Sequence, residues 1–286
     1  MSRKAGEIIR EFRIGKKMTL TSVCKGVMSP SQLSKFERGE SEIIFQKMEG
    51  LLHNLNITYE EFELSRNNYE SNNLQGLLNK IRRYYSEHNI GRLHAIYINE
   101  LFNFKETGDI AYKLNAICIN CFLRDLNKEK FPIKSSERHL LSEYLFSIDQ
   151  WTKYELLLFS NTLPILTIDT IFCLAKEMIK NASQYKMIES YNKIMLQTLL
   201  NVCILGIENS KYSDVIYFKK ILNDMLLDET FLYEKNVLNF INGLFEYKTN
   251  NKINGMQQME KSISIFHQLD SINLAINYSE YIQKLN

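Results

Sequence analysis

The chain is poor in residues that interrupt helices. Its 286 residues include only 11 Gly and 3 Pro, too few for the many tight turns of an all-β protein. Long lipid-facing runs are also missing, because the most hydrophobic window, 156–175, contains Ser160, Asn161, Pro164 and Asp169. With 45% hydrophobic residues there is still enough apolar material for a core. These features favour an all-helical protein with no membrane span.

Signals for export, metal binding and catalysis are absent as well. Arg3 and Lys4 are followed by no apolar run before Arg10, so the N-terminus is not a secretory signal. The five cysteines are odd in number and lie mostly in apolar helical patterns, as expected of reduced thiols in a core. Cys118 and Cys121 form a Cys-x-x-Cys without the second pair that a zinc site needs. With no phosphate-binding glycine loop or nucleophile elbow, we expect a cytoplasmic protein that is not an enzyme and holds no cofactor.

The charge is distributed unevenly along the chain. The formal net charge is +2, but residues 1–38 carry nine Lys and Arg against three acids, a balance of +6. The remainder is therefore at −4. A basic end on a mildly acidic protein indicates an anionic partner, with nucleic acid favoured over a membrane surface.

The apolar spacing of the first 65 residues predicts five short helices. A turn at 26–28 separates the second from the third, which starts with Ser29 as the N-cap and Pro30 at its first position. Leu33 and Phe36 then point inward. Two short helices joined by a tight turn are typical of a helix-turn-helix. The residues left on the outer face of the third helix are Ser31, Gln32 and Lys35.

The run 31–40, Ser-Gln-Leu-Ser-Lys-Phe-Glu-Arg-Gly-Glu, resembles the five-helix repressor-type DNA-binding domain called XRE or Cro/CI. Together with the ending at 55–62, Leu-Asn-Ile-Thr-Tyr-Glu-Glu-Phe, it resembles the Rgg/MutR regulators of low-GC Gram-positive bacteria. The resemblance implies that Lys35 reaches guanine O6 and N7, that Gln32 pairs with adenine or with a phosphate, and that Arg13 and Glu37 bridge the first and third helices. The DNA-contacting set implied is Arg10, Lys16, Lys17, Ser29, Ser31, Gln32, Lys35 and Arg38.

A larger helical region follows a polar, Asn-rich stretch. We interpret 66–73 as a linker between a DNA-binding domain at 1–65 and a repeat domain at 74–286. In the latter, helices are predicted at 164–180 and 185–208, among others, and residues 201–214 align with 242–255 at an offset of 41. That period indicates about five degenerate helical hairpins of tetratricopeptide-like size, forming an α-solenoid whose concave face suits an extended peptide.

The Rgg/MutR resemblance extends into this region, at 154–163, 240–247 and 259–266. It implies a homodimeric receptor for a short signalling peptide, used in quorum sensing. Because a dimer presents two recognition helices to double-stranded DNA, we expect an inverted-repeat operator. An asparagine amide offers both a donor and an acceptor to a peptide backbone. The candidate peptide-binding residues are Asn161, Asn201, Asn239 and Asn242, with Tyr154 and Phe159 expected to line an apolar pocket.

Two other functions remain open from the sequence. The repeats could bind a protein partner, making the chain an interaction scaffold or an enzyme inhibitor. Alternatively, the chain could regulate transcription in response to a small molecule or to no ligand.

Overall fold

The computed structural model describes residues 4–67, 74–185, 187–226 and 228–285, and the α-helices are the main regular elements of those ranges. The all-α prediction is confirmed. The chain forms two compact units, 1–83 and 84–286. Of the expected linker, 68–73 lie outside the described residues. The helices of the first unit are α1 (Ala5–Gly15), α2 (Leu20–Cys24), α3 (Pro30–Glu37), α4 (Phe45–Leu55), α5 (Tyr59–Arg66) and the larger part of α6 (Leu74–Ser86).

One apolar core holds the first five helices together. It is built from side chains spaced three or four residues apart on each helix, among them the fully buried Ile8, Leu33 and Leu51. A capping box starts α5, with the Thr58 hydroxyl accepting from the Glu61 amide at 3.1 Å. Burial on this helix continues to Ser65.

In the second unit, α8, α10, α12 and α14 pack side by side, and α9, α11, α13 and α15 pack against this row. The expected helical hairpins are thus present, for example α12 with α13 and α14 with α15. The remaining bounds of this unit are α7 (Ile90–Thr107), α8 (Ile110–Leu126), α9 (Ser135–Ser147), α10 (Lys153–Thr162), α11 (Ile168–Asn181), α12 (Glu189–Glu208), α13 (Tyr212–Met225), α14 (Leu232–Thr249), α15 (Lys252–Gln268) and α16 (Ile272–Gln283).

Two predicted helix starts are wrong. Pro164 lies in a single 3-10 turn, and α11 starts later because the Thr167 hydroxyl accepts from the Thr170 amide at 3.3 Å. The helix predicted from Tyr185 starts instead at Glu189, after a short 3-10 turn that ends at Tyr185. In both places the apolar pattern continues across a break in the helix, so periodicity alone could not detect it.

The α14–α15 hairpin depends on two glycines that face each other. A Cβ on Gly255 would lie 2.6 Å from the carbonyl oxygen of Gly243, and a Cβ on Gly243 would lie 2.8 Å from that of Gly255. No other residue fits without moving backbone, so the two helices touch main chain to main chain.

The cysteines form no disulfide, and four of the five are buried. Burial raises the pKa of the Cys121 and Cys203 thiols to about 12. Cys173 is exposed, which corrects the expectation of a core position for it, because its side chain lies on the outer face of α11. Across the ranges that can be described, the helices lack the combination of length and apolarity that a bilayer crossing requires.

Candidate functional site

The start of α3 is fixed by its cap. The Ser29 hydroxyl accepts a hydrogen bond from the Gln32 amide at 3.2 Å, and Pro30 occupies the first helical position. Leu33 faces the core. The side chains of Ser31 and Lys35 are therefore directed to solvent, and both are exposed.

A buried ion pair holds α3 against α1. Arg13 Nε and Nη2 donate to the two carboxylate oxygens of Glu37, each at 2.7 Å, and Nη1 donates to the Met18 carbonyl at 3.2 Å. The Glu37 side chain is 4% exposed. The hydrogen bonds that Arg13 donates to Glu37 raise the pKa of Arg13 above its usual value. The bidentate geometry fixes both distance and angle between the helices.

Gln32 is half-buried and has a partner that the sequence did not reveal. Lys47, from α4, donates through Nζ to Gln32 Oε1 at 3.2 Å. This contact engages the amide oxygen, so the NH₂ group is the end left to donate to a ligand. Nothing in the sequence indicates this pairing, since the two residues are 15 positions apart on different helices.

Arg38 also has partners already. Its Nε and Nη2 donate to Glu40 at 2.5 and 2.8 Å, and Nη1 donates to the Ser34 hydroxyl at 2.6 Å. Arg38 in turn lowers the pKa of the Glu40 carboxyl. A phosphate at Arg38 would have to compete with this carboxylate.

The other basic residues lie on α1 and the turn after it. Arg10, Lys16 and Lys17 are all exposed. Lys16 Nζ donates to the Asn56 carbonyl at 3.0 Å, and Lys17 has a left-handed backbone with φ 55°. Exposed lysines of this kind suit phosphate oxygens, which need charge and little geometry.

In the repeat unit the four candidate asparagines lie on successive helices of the α8–α10–α12–α14 row, but in separate places. Asn161 lines a cavity of about 490 Å³, Asn201 one of about 170 Å³, and Asn239 one of about 520 Å³. Asn242 is half-buried and lines none of these three. The four asparagine side chains are therefore spread along the row of helices and do not form a single cluster.

The two candidate aromatic residues differ in position. Tyr154 is half-buried, with its hydroxyl 3.2 Å from Asn115 Oδ1 and 3.3 Å from the Ala111 carbonyl, and burial raises its pKa. Phe159 is fully buried, with its ring 5.5 Å from that of Trp151. The structure thus places Phe159 in the core, because α10 turns that face inward, and its contact with a ligand in an apolar pocket stays a prediction.

Residues 99–280, more than half of the chain, match the C-terminal domain family of HTH-type transcriptional regulator Rgg. The chain belongs to the Rgg family. Its structure resembles that of the SHP pheromone receptor Rgg2 from Streptococcus dysgalactiae, with 28% identity, a TM-score of 0.83, and coverage of 99% of this chain and 100% of that one.

Two more distant structures show the same fold as this Rgg-family chain. A candidate transcriptional regulator from Listeria monocytogenes EGD-e is 18% identical with a TM-score of 0.84, covering 99% of this chain and 97% of that one. The PrgX/cCF10 complex is 15% identical with a TM-score of 0.67, covering 99% and 92%. The expected Rgg/MutR membership is thereby confirmed, and with it the assignment as a transcriptional regulator.

Proposed function

We propose that this Rgg-family regulator inserts α3 into the major groove of double-stranded DNA. The observation that carries the proposal is the outer face of α3, where Ser31 and Lys35 are exposed while Arg13 and Glu37 fix the helix to α1. An ammonium at Lys35 suits guanine O6 and N7, and the amide of Gln32 suits adenine or a phosphate.

The remaining basic side chains have a different role in this proposal. Arg10, Lys16 and Lys17, all exposed, contact phosphates and set the register of the domain without reading sequence. Ser29 caps the N-terminus of α3, and we assign it a phosphate contact because a helix N-terminus favours an anion. Arg38 joins them only when a phosphate displaces Glu40. The DNA-binding domain comprises 1–65, joined through 66–73 to the repeat domain at 74–286 in a cytoplasmic protein.

The proposal is tested by selecting binding sites from a random duplex library and titrating variants on the selected DNA by fluorescence anisotropy. We expect K35A to cost about 1–3 kcal/mol at one base pair and to relax specificity there. K17A should weaken binding to all sequences and reduce the salt slope by about 1. If K35A and K17A both leave binding unchanged, α3 is not the reading element, and the interaction-scaffold function gains support.

We further propose that the chain acts as a homodimer on an inverted repeat. Two copies present two α3 helices to half-sites about one helical turn, ~34–36 Å, apart. Sedimentation equilibrium of the free protein and a stoichiometry titration on the selected DNA test this. A single copy bound to a single half-site at saturation would contradict it.

For the repeat unit we propose a short extended peptide as the ligand, which would also make the chain a quorum-sensing receptor. Support comes from the related proteins, since Rgg2 is described as an SHP pheromone receptor and PrgX forms a complex with cCF10. The row of α10, α12 and α14 offers Asn161, Asn201, Asn239 and Asn242 to successive peptide units. The half-buried Tyr154 lies on the same row.

Calorimetry tests whether the repeat unit binds a peptide. The ligands are synthetic peptides with the sequences encoded by short open reading frames beside the gene. We expect one of them to bind, and N161A and N201A to weaken it. In a dimer the two DNA-binding domains can be held in more than one arrangement. Peptide binding changes the affinity for DNA only if the peptide binds one of these arrangements more tightly than another. If none of these peptides binds, the ligand is a small molecule or absent.

A further inference from the structure

A cavity of about 490 Å³ lies where the C-terminal parts of α8 and α10 meet the end of α6. Its lining includes Phe122 and Arg124 from α8, Lys128 from the turn after α8, Asn161 from α10, and Ile165 from the 3-10 turn that follows. This volume is at the lower end of small-ligand pockets, about 300–1,000 Å³, and so fits the end of a peptide better than a whole one.

Two cations of the lining are available to a ligand. Arg124, in the last turn of α8, is half-buried, and Lys128, in the turn after α8, is exposed. Among the described residues neither forms an ion pair. The acid in the same lining, Asp125, is already engaged because the Tyr85 hydroxyl donates to its carboxylate. The cavity therefore presents net positive charge to its contents.

One wall of the cavity is apolar. The Phe122 ring is half-buried and packs edge-on against that of Tyr85, with centroids 5.6 Å apart, and Pro164 and Ile165 lie nearby in the lining. Burying an apolar side chain against such a wall is favourable because it removes apolar surface from water.

Asn161 adds a directional group to the same cavity. Its Nδ2 donates to the Leu157 carbonyl at 2.7 Å and to the Ser160 hydroxyl at 3.0 Å. The amide is thereby oriented, and its Oδ1 is the end that accepts a hydrogen bond from a ligand.

We propose that this cavity binds the C-terminal residue of the signalling peptide, an inference that rests on peptide sensing as the function. The terminal carboxylate pairs with Arg124 and Lys128, an apolar last side chain packs on Phe122 and Ile165, and the last backbone N–H donates to Asn161 Oδ1. A chain end provides carboxylate, N–H and side chain within one residue, which matches the three kinds of group in the cavity. The ligand class is a peptide with an unmodified carboxyl end and a hydrophobic last residue.

The test uses three defined probes on the full chain, with affinities measured by ligand-observed NMR at low ionic strength. They are N-acetyl-Leu-Leu with a free carboxylate, its C-terminal amide, and N-acetyl-Leu-Glu-amide, which carries its carboxylate on a side chain. We expect the free carboxylate probe to bind at least five-fold more tightly than either amide.

The double variant R124Q/K128Q should lower carboxylate binding to the level of the amide and leave the amide unchanged. The matched control is K105Q/K130Q, which removes the same charge from exposed lysines outside the cavity and should retain the five-fold preference. Fluorescence of the buried Trp151 verifies that each variant is folded.

Equal binding of the carboxylate and amide probes, no binding of any probe, or a preference that survives R124Q/K128Q would each overturn the proposal. If N-acetyl-Leu-Glu-amide binds as tightly as the free carboxylate probe, the cavity accepts a side-chain carboxylate, and the assignment to the C-terminal carboxylate is overturned. If peptides from neighbouring reading frames bind R124Q/K128Q as tightly as wild type, this inference fails while peptide sensing stands. If the probes behave as expected but none of those peptides binds, the cavity stands and peptide sensing fails.

Discussion

Removing Arg13 should destabilise the first unit selectively. The variant R13M leaves the carboxylate of Glu37, 4% exposed, without its counter-charge and without the two hydrogen bonds of 2.7 Å. Breaking a buried ion pair from one side costs about 3–5 kcal/mol. Because Arg13 keeps 15% exposure, water reaches this edge of the pair, and we expect the lower end, about 3 kcal/mol.

The assay follows from where the tryptophan lies. Trp151 is the single tryptophan of the chain and is fully buried in the second unit, so its fluorescence reports that unit, whereas far-UV circular dichroism reports all helices. In urea titrations, R13M should move the loss of helix from the first unit to lower concentration by about 1–3 M, which is about 3 kcal/mol divided by slopes of about 1–3 kcal/mol/M. The fluorescence midpoint should not move.

A matched control lies in the same unit. Arg38 and Glu40 form the same bidentate contact, but their side chains are 49% and 50% exposed, so R38M should leave both midpoints unchanged. The double variant R13M/E37M should recover part of the loss, because no charge is left buried alone. If R13M unfolds like wild type, or shifts fluorescence as much as circular dichroism, the reasoning is refuted.

Three further predictions concern separate parts of the chain. G255A should lower the fluorescence midpoint in urea, because its methyl group would meet the backbone of α14, whereas G91A, whose Cβ would lie 3.7 Å from its nearest neighbour, should not; equal midpoints would contradict the close contact. Cys173 should be the one thiol that reacts rapidly with Ellman's reagent at pH 8 in the native chain, since the other four are buried, and a second fast thiol would contradict this. K47M should relax base preference at the position read by Gln32 more than it lowers affinity, and K47R should retain it; site selection with each variant measures both.

Local signals in the sequence are sufficient to predict α3 of the first unit. Ser29, Pro30 and the spacing of Leu33 and Phe36 determine α3, because caps and apolar periodicity act within one or two turns. The contact between Lys47 and Gln32 could not be predicted in this way. It depends on how α4 packs against α3, which no short-range pattern encodes.

The repeat unit was harder to predict in its details. Helix existence followed from periodicity, but all faces of α10 are rich in apolar residues, so the pattern could not separate the fully buried Phe159 from the half-buried Tyr154. The chain is rich in asparagine, and the chemistry of the amide makes these residues the candidates for peptide binding. The two cations of the α8 cavity, Arg124 and Lys128, were missed because they resemble ordinary solvated charges near a helix end.

The contact between Gly243 and Gly255 limits how this protein can move. Where two main chains meet without side chains between them, no intervening layer can be rearranged, and sliding by even one residue would drive Cβ atoms into carbonyl groups. We therefore expect α14 and α15 to move together as one rigid pair. A rearrangement that displaces one of these helices has to displace the other with it.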